Sequence, residues 1–420
     1  MRIIVNELKK IWNFKILVII TVACCLYFAL FTSNYTHMTP HPRGSGSFLD
    51  IAHHLTDTYG PTLSREDFED FLNHREVIIA DLNEFIASRQ VFIDNGIFNY
   101  DDYRALRDDV TSRWETLTDE ELVKYYTILG ELGTTFRMPD GTDFRPNPYE
   151  PSLAHIMLWS YDNIVGMYRQ NALFEFESGW GNRFDNFIKH TALNEREIAR
   201  VVEIRDSDER YNIMEQWVMR TVNGFWSSFA GLVILVTLIL VATLITADRA
   251  NRVNWLQYSS KEGRKIFKKQ FAAIIMSAIA MTTILLAIYG WIFATNELGA
   301  LAFWNNGLNS FMGYPFFWTM ATLGTYCLMM IGISYLLSIG VATFAFVFSR
   351  FSQNKVKLLL KVVPLFIAMT MLSNWILEDF LAIYYGGDVI VQLSALVLAL
   401  FASMIAAIIV VKRERRVELV

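Results

Sequence analysis

The sequence predicts an all-α membrane protein: six transmembrane helices, with a large, mainly helical extracellular domain between helices 1 and 2. Three observations carry this. Hydrophobic residues make up 53% of the 420 and the mean hydropathy is +0.28, against about 45–50% apolar in soluble domains. The excess is gathered in uncharged blocks of roughly 20 residues or more, the length that crosses a hydrocarbon core about 30 Å thick. Short connections separate these blocks, except for one polar stretch, residues 34–220, between the first and the second.

The spans are expected at about 16–33, 223–247, 271–296, 320–347, 358–377 and 389–411. The first, "ILVIITVACCLYFALF", is long for a signal-peptide core and ends without an Ala-x-Ala-like site, so it reads as an uncleaved anchor. Cys24 and Cys25 lack the Leu-type residue three positions earlier that a lipoprotein signal would show. "GSGS" at 44–47 reads as a flexible linker into the polar region. There, "TLSREDFEDFLNHREVIIADLNEFIASRQVF" places Phe68, Phe71, Leu72, Ile78, Leu82, Phe85 and Ile86 near one helical face. Ser64 is its N-cap, with Asp67 three residues on. "NYDDYRALRDDVTSRW" repeats the pattern with Tyr103, Leu106, Val110 and Trp114, and Thr118 with Glu121 forms a capping box for the next helix. "GTTFRMPDGTDFRPNPYEP" is a loop. A helical pattern resumes near Asn194 and is expected to run almost straight into the second span, leaving the domain on two stalks. The charge-free block from Leu298 to Ser349 is too long for one helix; its first part reads as an outer loop and interfacial aromatic belt, its remainder as the fourth span. Pro364 marks a kink in the fifth, and Lys361 sits near that span's end, where its ammonium can snorkel.

Orientation follows from lysine and arginine. Residues 1–15, 248–270, 349–361 and 412–420 hold 19 basic and 5 acidic residues, while the short connections on the other side hold Glu297, Glu378, Asp379 and Asp388 and no base. Both termini are therefore expected in the cytoplasm of a multi-pass cell-membrane protein, with 34–220 outside. That domain is net −15 and contains no cysteine, so it must hold itself by its own core.

Motifs of chemistry are scarce. No phosphate-cradling G-x-x-x-x-G-K-[ST], H-E-x-x-H, C-x-x-C or G-x-S-x-G occurs. His53 and His54 invite a metal, but neighbours on a helix point about 100° apart and chelate poorly together. Asp101-Asp102 and Asp108-Asp109 read as solvated helix faces. Apart from Lys361, the spans carry no ionisable Asp, Glu, Lys, Arg or His, which argues against a proton-driven carrier, a voltage sensor or an intramembrane protease. Neither nucleic-acid binding nor a metal is indicated.

One segment stands apart. "NWLQYSSKEGRKIFKKQF", residues 254–271, interrupts two apolar runs with basic charge, an apolar-aromatic cluster (Trp255, Leu256, Tyr258) and a turn-prone "SSKEGR". Positive charge alone would fix topology; the cluster suggests a short amphipathic helix seated on lipid head groups or on a partner. Here the chain resembles the permease subunits of the ABC type-2 transporter family, the membrane half of type V ATP-binding-cassette exporters. The elements that carry the likeness are Leu256, the turn Ser259-Ser260-Lys261, Gly263-Arg264 and Lys268, together with the six-span frame and the N-terminal "MRIIVNELKKIWNFK", which fits the family's short amphipathic helix before the first span.

The resemblance implies that 248–270 is a coupling loop, with Asn254, Trp255, Leu256, Tyr258, Ser259, Ser260, Lys261, Gly263, Arg264 and Lys268 transmitting work from a separate ABC ATPase subunit. ATP and Mg would belong to that partner, this chain would hold no cofactor of its own, and a second permease subunit, identical or not, would complete the pathway. The cargo expected from the family and the uncharged spans is amphipathic: a peptide, a lipid-linked molecule or an antibiotic. Two departures stand out: the domain between spans one and two is far larger than the loops of minimal members, and "EDFLAIYYGGDV" between spans five and six is short. The competing expectation is a receptor or sensor whose outer domain binds a ligand without transport.

Overall fold

The computed structural model describes residues 2–36, 45–113, 116–132, 136–137, 143–144, 153–175, 182–250, 266–296, 299–313, 316–352, 354–378, 380–383 and 389–414. Among them, six helices are long and apolar enough to cross a membrane. Each falls on a predicted span: α2 (Phe14–Tyr27, extended to Tyr35 by a π-turn and a 3-10 turn), α11 (Gln216–Ala250), α12 (Ile266–Ala294), α13 (Leu323–Arg350), α14 (Lys355–Leu377) and α15 (Val389–Glu414). A separate helix, α1 (Arg2–Ile11), precedes them; Asn13 ends the gap by accepting the Lys15 amide as N-cap of α2.

The second apolar helix is the axis of the bundle. α2, α12, α13 and α14 all pack on α11. Within its most apolar window 72% of residues are buried, against 6% for the first apolar helix. Val18, Ile19, Val22, Leu26 and Leu30 of α2 stay exposed, an apolar face that suits hydrocarbon better than water. Where three helices meet, small hydroxyls replace bulk. Thr237, Thr282 and Ser338 are buried and bonded in series, 3.1 Å from Thr237 to Ser338 and 2.9 Å from Thr282 to Ser338. Apolar solvent gives helices no hydrophobic reason to associate, so close packing and such bonds carry the contact. α14 continues through Pro364. Lys361 reaches the Phe351 carbonyl at 2.8 Å, consistent with an ammonium near the end of the span.

The first helix of the polar domain begins inside the predicted linker. The predicted Gly-Ser linker is not one at Ser45–Ser47: those residues open α3 (Ser45–Tyr59), whose Leu49, Ile51, Ala52 and Leu55 are buried. α4 (Arg65–Ser88) follows with the predicted capping box at Ser64 and Asp67. Of its expected face, Phe68, Phe71, Ile78, Leu82 and Ile86 are buried, and Leu72 and Phe85 partly so. The short α5 (Gln90–Asp94) leads to α6 (Tyr100–Arg113) and α7 (Asp119–Gly130), the latter capped by Thr118 and Glu121 as predicted. Strands β1 (Phe136–Arg137) and β2 (Asp143–Phe144) pair within the predicted loop. α8 (Leu153–Asn171) packs across α3 and α4. Buried tyrosines close this core: Tyr161 and Tyr168 donate to the Phe71 and Leu63 carbonyls at 2.7 and 2.8 Å, so their hydroxyls enter without an unpaired donor.

The passage into the membrane departs from the sequence reading. No single helix runs from Asn194 into the second span. α9 (Arg183–His190) ends at Thr191, α10 (Glu195–Asp206) ends at Ser207, a 3-10 turn follows, and residues 211–213 extend beside 61–63. The Leu63 amide donates to the Tyr211 carbonyl and the Ile213 amide to the Pro61 carbonyl, both at 2.9 Å. Strand-like pairing satisfies the backbone there and lets Ile213 and Met214 enter the core, fully buried, ahead of α11.

Nor does the domain stand on two stalks alone, and the aromatic belt expected between spans three and four is not lipid-facing at its phenylalanines. Phe303, Phe311, Phe316 and Phe317 are buried. They belong to a socket, residues 299–322, on which the domain rests. Gly299, at φ 60°, lets the His53 ring approach so closely that a Cβ there would lie 2.8 Å from it. Ser310 accepts the Met214 amide at 2.9 Å, and Asn306 donates to the Thr56 hydroxyl at 3.0 Å and the Ile213 carbonyl at 2.5 Å. β3 (Phe316–Phe317) pairs antiparallel with β4 (Ala382–Ile383), tying the connection before α13 to that after α14. Phe316 and Ile383 then pack with Phe184, Phe187, Val201 and Ile204 of α9 and α10.

Candidate functional site

Of the expected coupling residues, Asn254, Trp255, Leu256, Tyr258, Ser259, Ser260, Lys261, Gly263 and Arg264 lie outside the described residues. Lys268 is described and exposed, in the first turn of α12. What surrounds that turn is the first part of the site, a polar clamp the sequence reading missed. Glu7 of α1, Gln270 of α12 and Arg350 of α13 are all buried. Gln270 donates to the Glu7 carboxylate at 3.2 Å and accepts from Arg350 at 3.3 Å, while Lys10 pairs with Glu7 at 2.9 Å. The Arg350 guanidinium also lies 3.6 Å from the centroid of the Phe267 ring, a cation–π contact that partly replaces lost water. One carboxylate between two cations, bridged by an amide, is a far cheaper arrangement to bury than any of the charges alone. Trp12 adds a bond from α1's end to Ser277 at 3.1 Å. The sequence signal was weak, a lone Glu among basic residues on an amphipathic helix.

The second part is a cavity of about 500 Å³ between α2, α11 and α14, toward the end of the bundle that carries the polar domain. One wall is aromatic (Tyr27, Phe31, Tyr35, Phe366), the other hydroxyl- and amide-bearing (Ser227, Ser228, Thr370, Asn374). Thr32 and Ser228 are bonded at 2.8 Å and Ser227 donates to Asn374 at 2.9 Å. The Thr370 hydroxyl is buried with no hydrogen-bond partner among the described residues. Gly224 makes the wall possible: a Cβ there would overlap the Tyr35 ring. The cavity offers flat apolar contact, a few hydrogen-bond positions, and one carboxylate, Glu378, on its lining. Such a mixture is chemically suited to an amphipathic molecule. It contains no nucleophile–base pair, and the described residues hold no group of three or more metal-ligating side chains.

The other sequence candidates resolve into structure. His53 packs on Phe303 with ring centroids 4.6 Å apart, and His54 stacks on His74 at 4.5 Å, so the neighbours serve different contacts. Burial and the His54 imidazole hold the His74 pKa below its usual value. Asp102 accepts the Phe98 amide, Asp108 pairs with Arg107, and Asp109 pairs with Arg113. Cys24, Cys25 and Cys327 are free thiols.

The chain matches no family model, no curated protein and no solved structure.

Proposed function

We infer that the protein is the permease subunit of an ATP-binding-cassette exporter in the cell membrane, with both termini cytoplasmic and residues 34–220 extracellular. The observation that carries this reading is the clamp at the start of α12. The basic connection 248–270 ends there, and Gln270 joins that turn to α1 and to α13. A push on the connection would be felt by three helices at once, which is what coupling to a separate ATPase requires. Trp255, Leu256 and Tyr258 supply the docking surface in this proposal, and the basic residues around them the electrostatic fit. ATP and Mg act in the partner chain, this subunit performs no catalysis, and a second permease subunit, identical or not, completes the pathway.

The substrate is amphipathic: a peptide, a lipid-linked molecule or an antibiotic. The cavity between α2, α11 and α14 supports that class, and the near-absence of charge from the spans, with Lys361 the exception at a span's end, makes an ion-coupled cycle a poor fit. A receptor without transport is the second reading. It draws on the socket, since a ligand held by the polar domain would pull on the connections around α13 and α14.

Co-purification with the candidate ATPase, followed by nucleotide hydrolysis with Trp255→Ala and Leu256→Ala, tests the proposal. Coupled hydrolysis is expected to fall at least several-fold while the membrane subunit stays folded. Assembly and hydrolysis both unchanged in these variants would overturn the coupling assignment.

A further inference from the structure

At the basic end of the bundle, α12 and α15 enclose a groove of about 380 Å³. We propose that this groove binds an anionic diacyl phospholipid, its headgroup phosphate held by Lys268 and Lys412 and an acyl chain lying along Phe271, Met404 and Ile408.

The chemistry is segregated along the groove in the order a lipid needs. Met404, Ile408 and Val411 follow one another at helical spacing on α15, and Lys412 comes next at the helix end. On α12, running the other way, Lys268 is in the first turn and Phe271 one turn deeper. Both ammonium groups therefore sit at one end and the apolar lining at the other. No carboxylate lines the groove, and among the described residues neither lysine forms an ion pair. Met404 and Ile408 remain exposed to about half their surface, at 41% and 50%, as residues facing hydrocarbon do. Two cations with no ion-pair partner among the described residues favour a net negative headgroup over a zwitterionic one, each lysine near an anionic surface contributing a factor of about five. The inference needs the bundle to lie in a bilayer but does not rest on a partner ATPase.

Native mass spectrometry of the full chain in detergent tests it, with phosphatidylglycerol and phosphatidylcholine of identical acyl chains as probes. Phosphatidylglycerol is expected to be retained several-fold better. Lys412→Gln is expected to lower its bound fraction about fivefold without changing phosphatidylcholine, and Lys412→Arg to keep it. Ala407→Trp, which fills the groove, is expected to lower both. Glycerol 3-phosphate has the anion without the chain and is expected not to compete. Wild-type retention in Lys412→Gln, or displacement of the lipid by glycerol 3-phosphate at equal concentration, would overturn the proposal; the second result would mark a phosphate site with no role for the apolar wall.

Discussion

Glu215 is the residue where burial and charge conflict most openly. It precedes α11, is 6% exposed, and accepts the Trp217 and Val218 amides at 2.6 and 3.2 Å. The two amides favour the carboxylate, but desolvation outweighs them and pushes its pKa up from 4.5 to about 7. Its unfolded value is the ordinary one for glutamate, so the folded state binds the proton more tightly. The contribution is complete below about pH 4.5 and is lost as pH rises through about 7, a difference on the order of 3 kcal/mol. Melting temperature in detergent should therefore fall between pH 5 and pH 8. Glu215→Gln keeps an acceptor for both amides but cannot ionise, and should flatten that slope. An unchanged pH profile in the variant would assign the slope to other groups. Residue-level reading of the sequence reached the caps at Ser64 and Thr118, because a cap is decided by neighbours three positions away. It did not reach the burial of Glu215, whose two amide partners are local but whose cover comes from distant segments, nor Gln270, whose partners lie on α1 and α13.

Elements were legible where one physical effect dominated. All six apolar helices lie where uncharged length put them, and α4 buries most of the face its period marked. Elements failed where tertiary pairing overrode local pattern. The 298–322 stretch is aromatic and uncharged, which reads as lipid-facing; in the fold the same apolarity is spent on contact with the polar domain. Asn309 is the hinge pin of that contact. It accepts the Phe317 amide at 2.7 Å, donates to the Glu209 carboxylate, and has its own carbonyl bonded by Asn212 at 2.8 Å. Glu209 in turn pairs with buried Arg200 at 2.9 Å. Asn309→Leu leaves the buried Phe317 amide without its acceptor, a loss of about 1–3 kcal/mol, while Arg200 still donates to both Glu209 oxygens. Hydrogen exchange should then speed up in α9, α10 and the β3–β4 pair while α4 and α8 keep wild-type protection. Uniform loss across the whole domain would mean that the socket supports all of it; no change would mean that Asn309 is not the link.

At the scale of the molecule the two ends of the bundle are built for different work. One end joins α1, α12 and α13 through buried charge; the other joins α9, α10, β3 and β4 through stacked rings, with Phe184 and Phe316 at 5.0 Å. α11 runs between them, and the Thr237, Ser338 and Thr282 hydroxyls bind it to its neighbours midway. Displacement at the basic end therefore has a continuous packed route to the polar domain, though a route becomes coupling only if the helices have two arrangements. The function read from this architecture requires the ends to face opposite sides of the membrane, and the sequence argued for that from charge alone: lysine and arginine crowd the connections at one end and are missing from the short ones at the other. A direct test uses intact cells, Cys24, Cys25 and Cys327 replaced by serine or alanine, and one new thiol at a time. Ser260→Cys should resist an impermeant maleimide until the cells are opened, and Asn163→Cys, exposed on α8, should react at once. The reverse pattern would put the polar domain in the cytoplasm and leave the 248–270 connection where no nucleotide-driven partner could reach it.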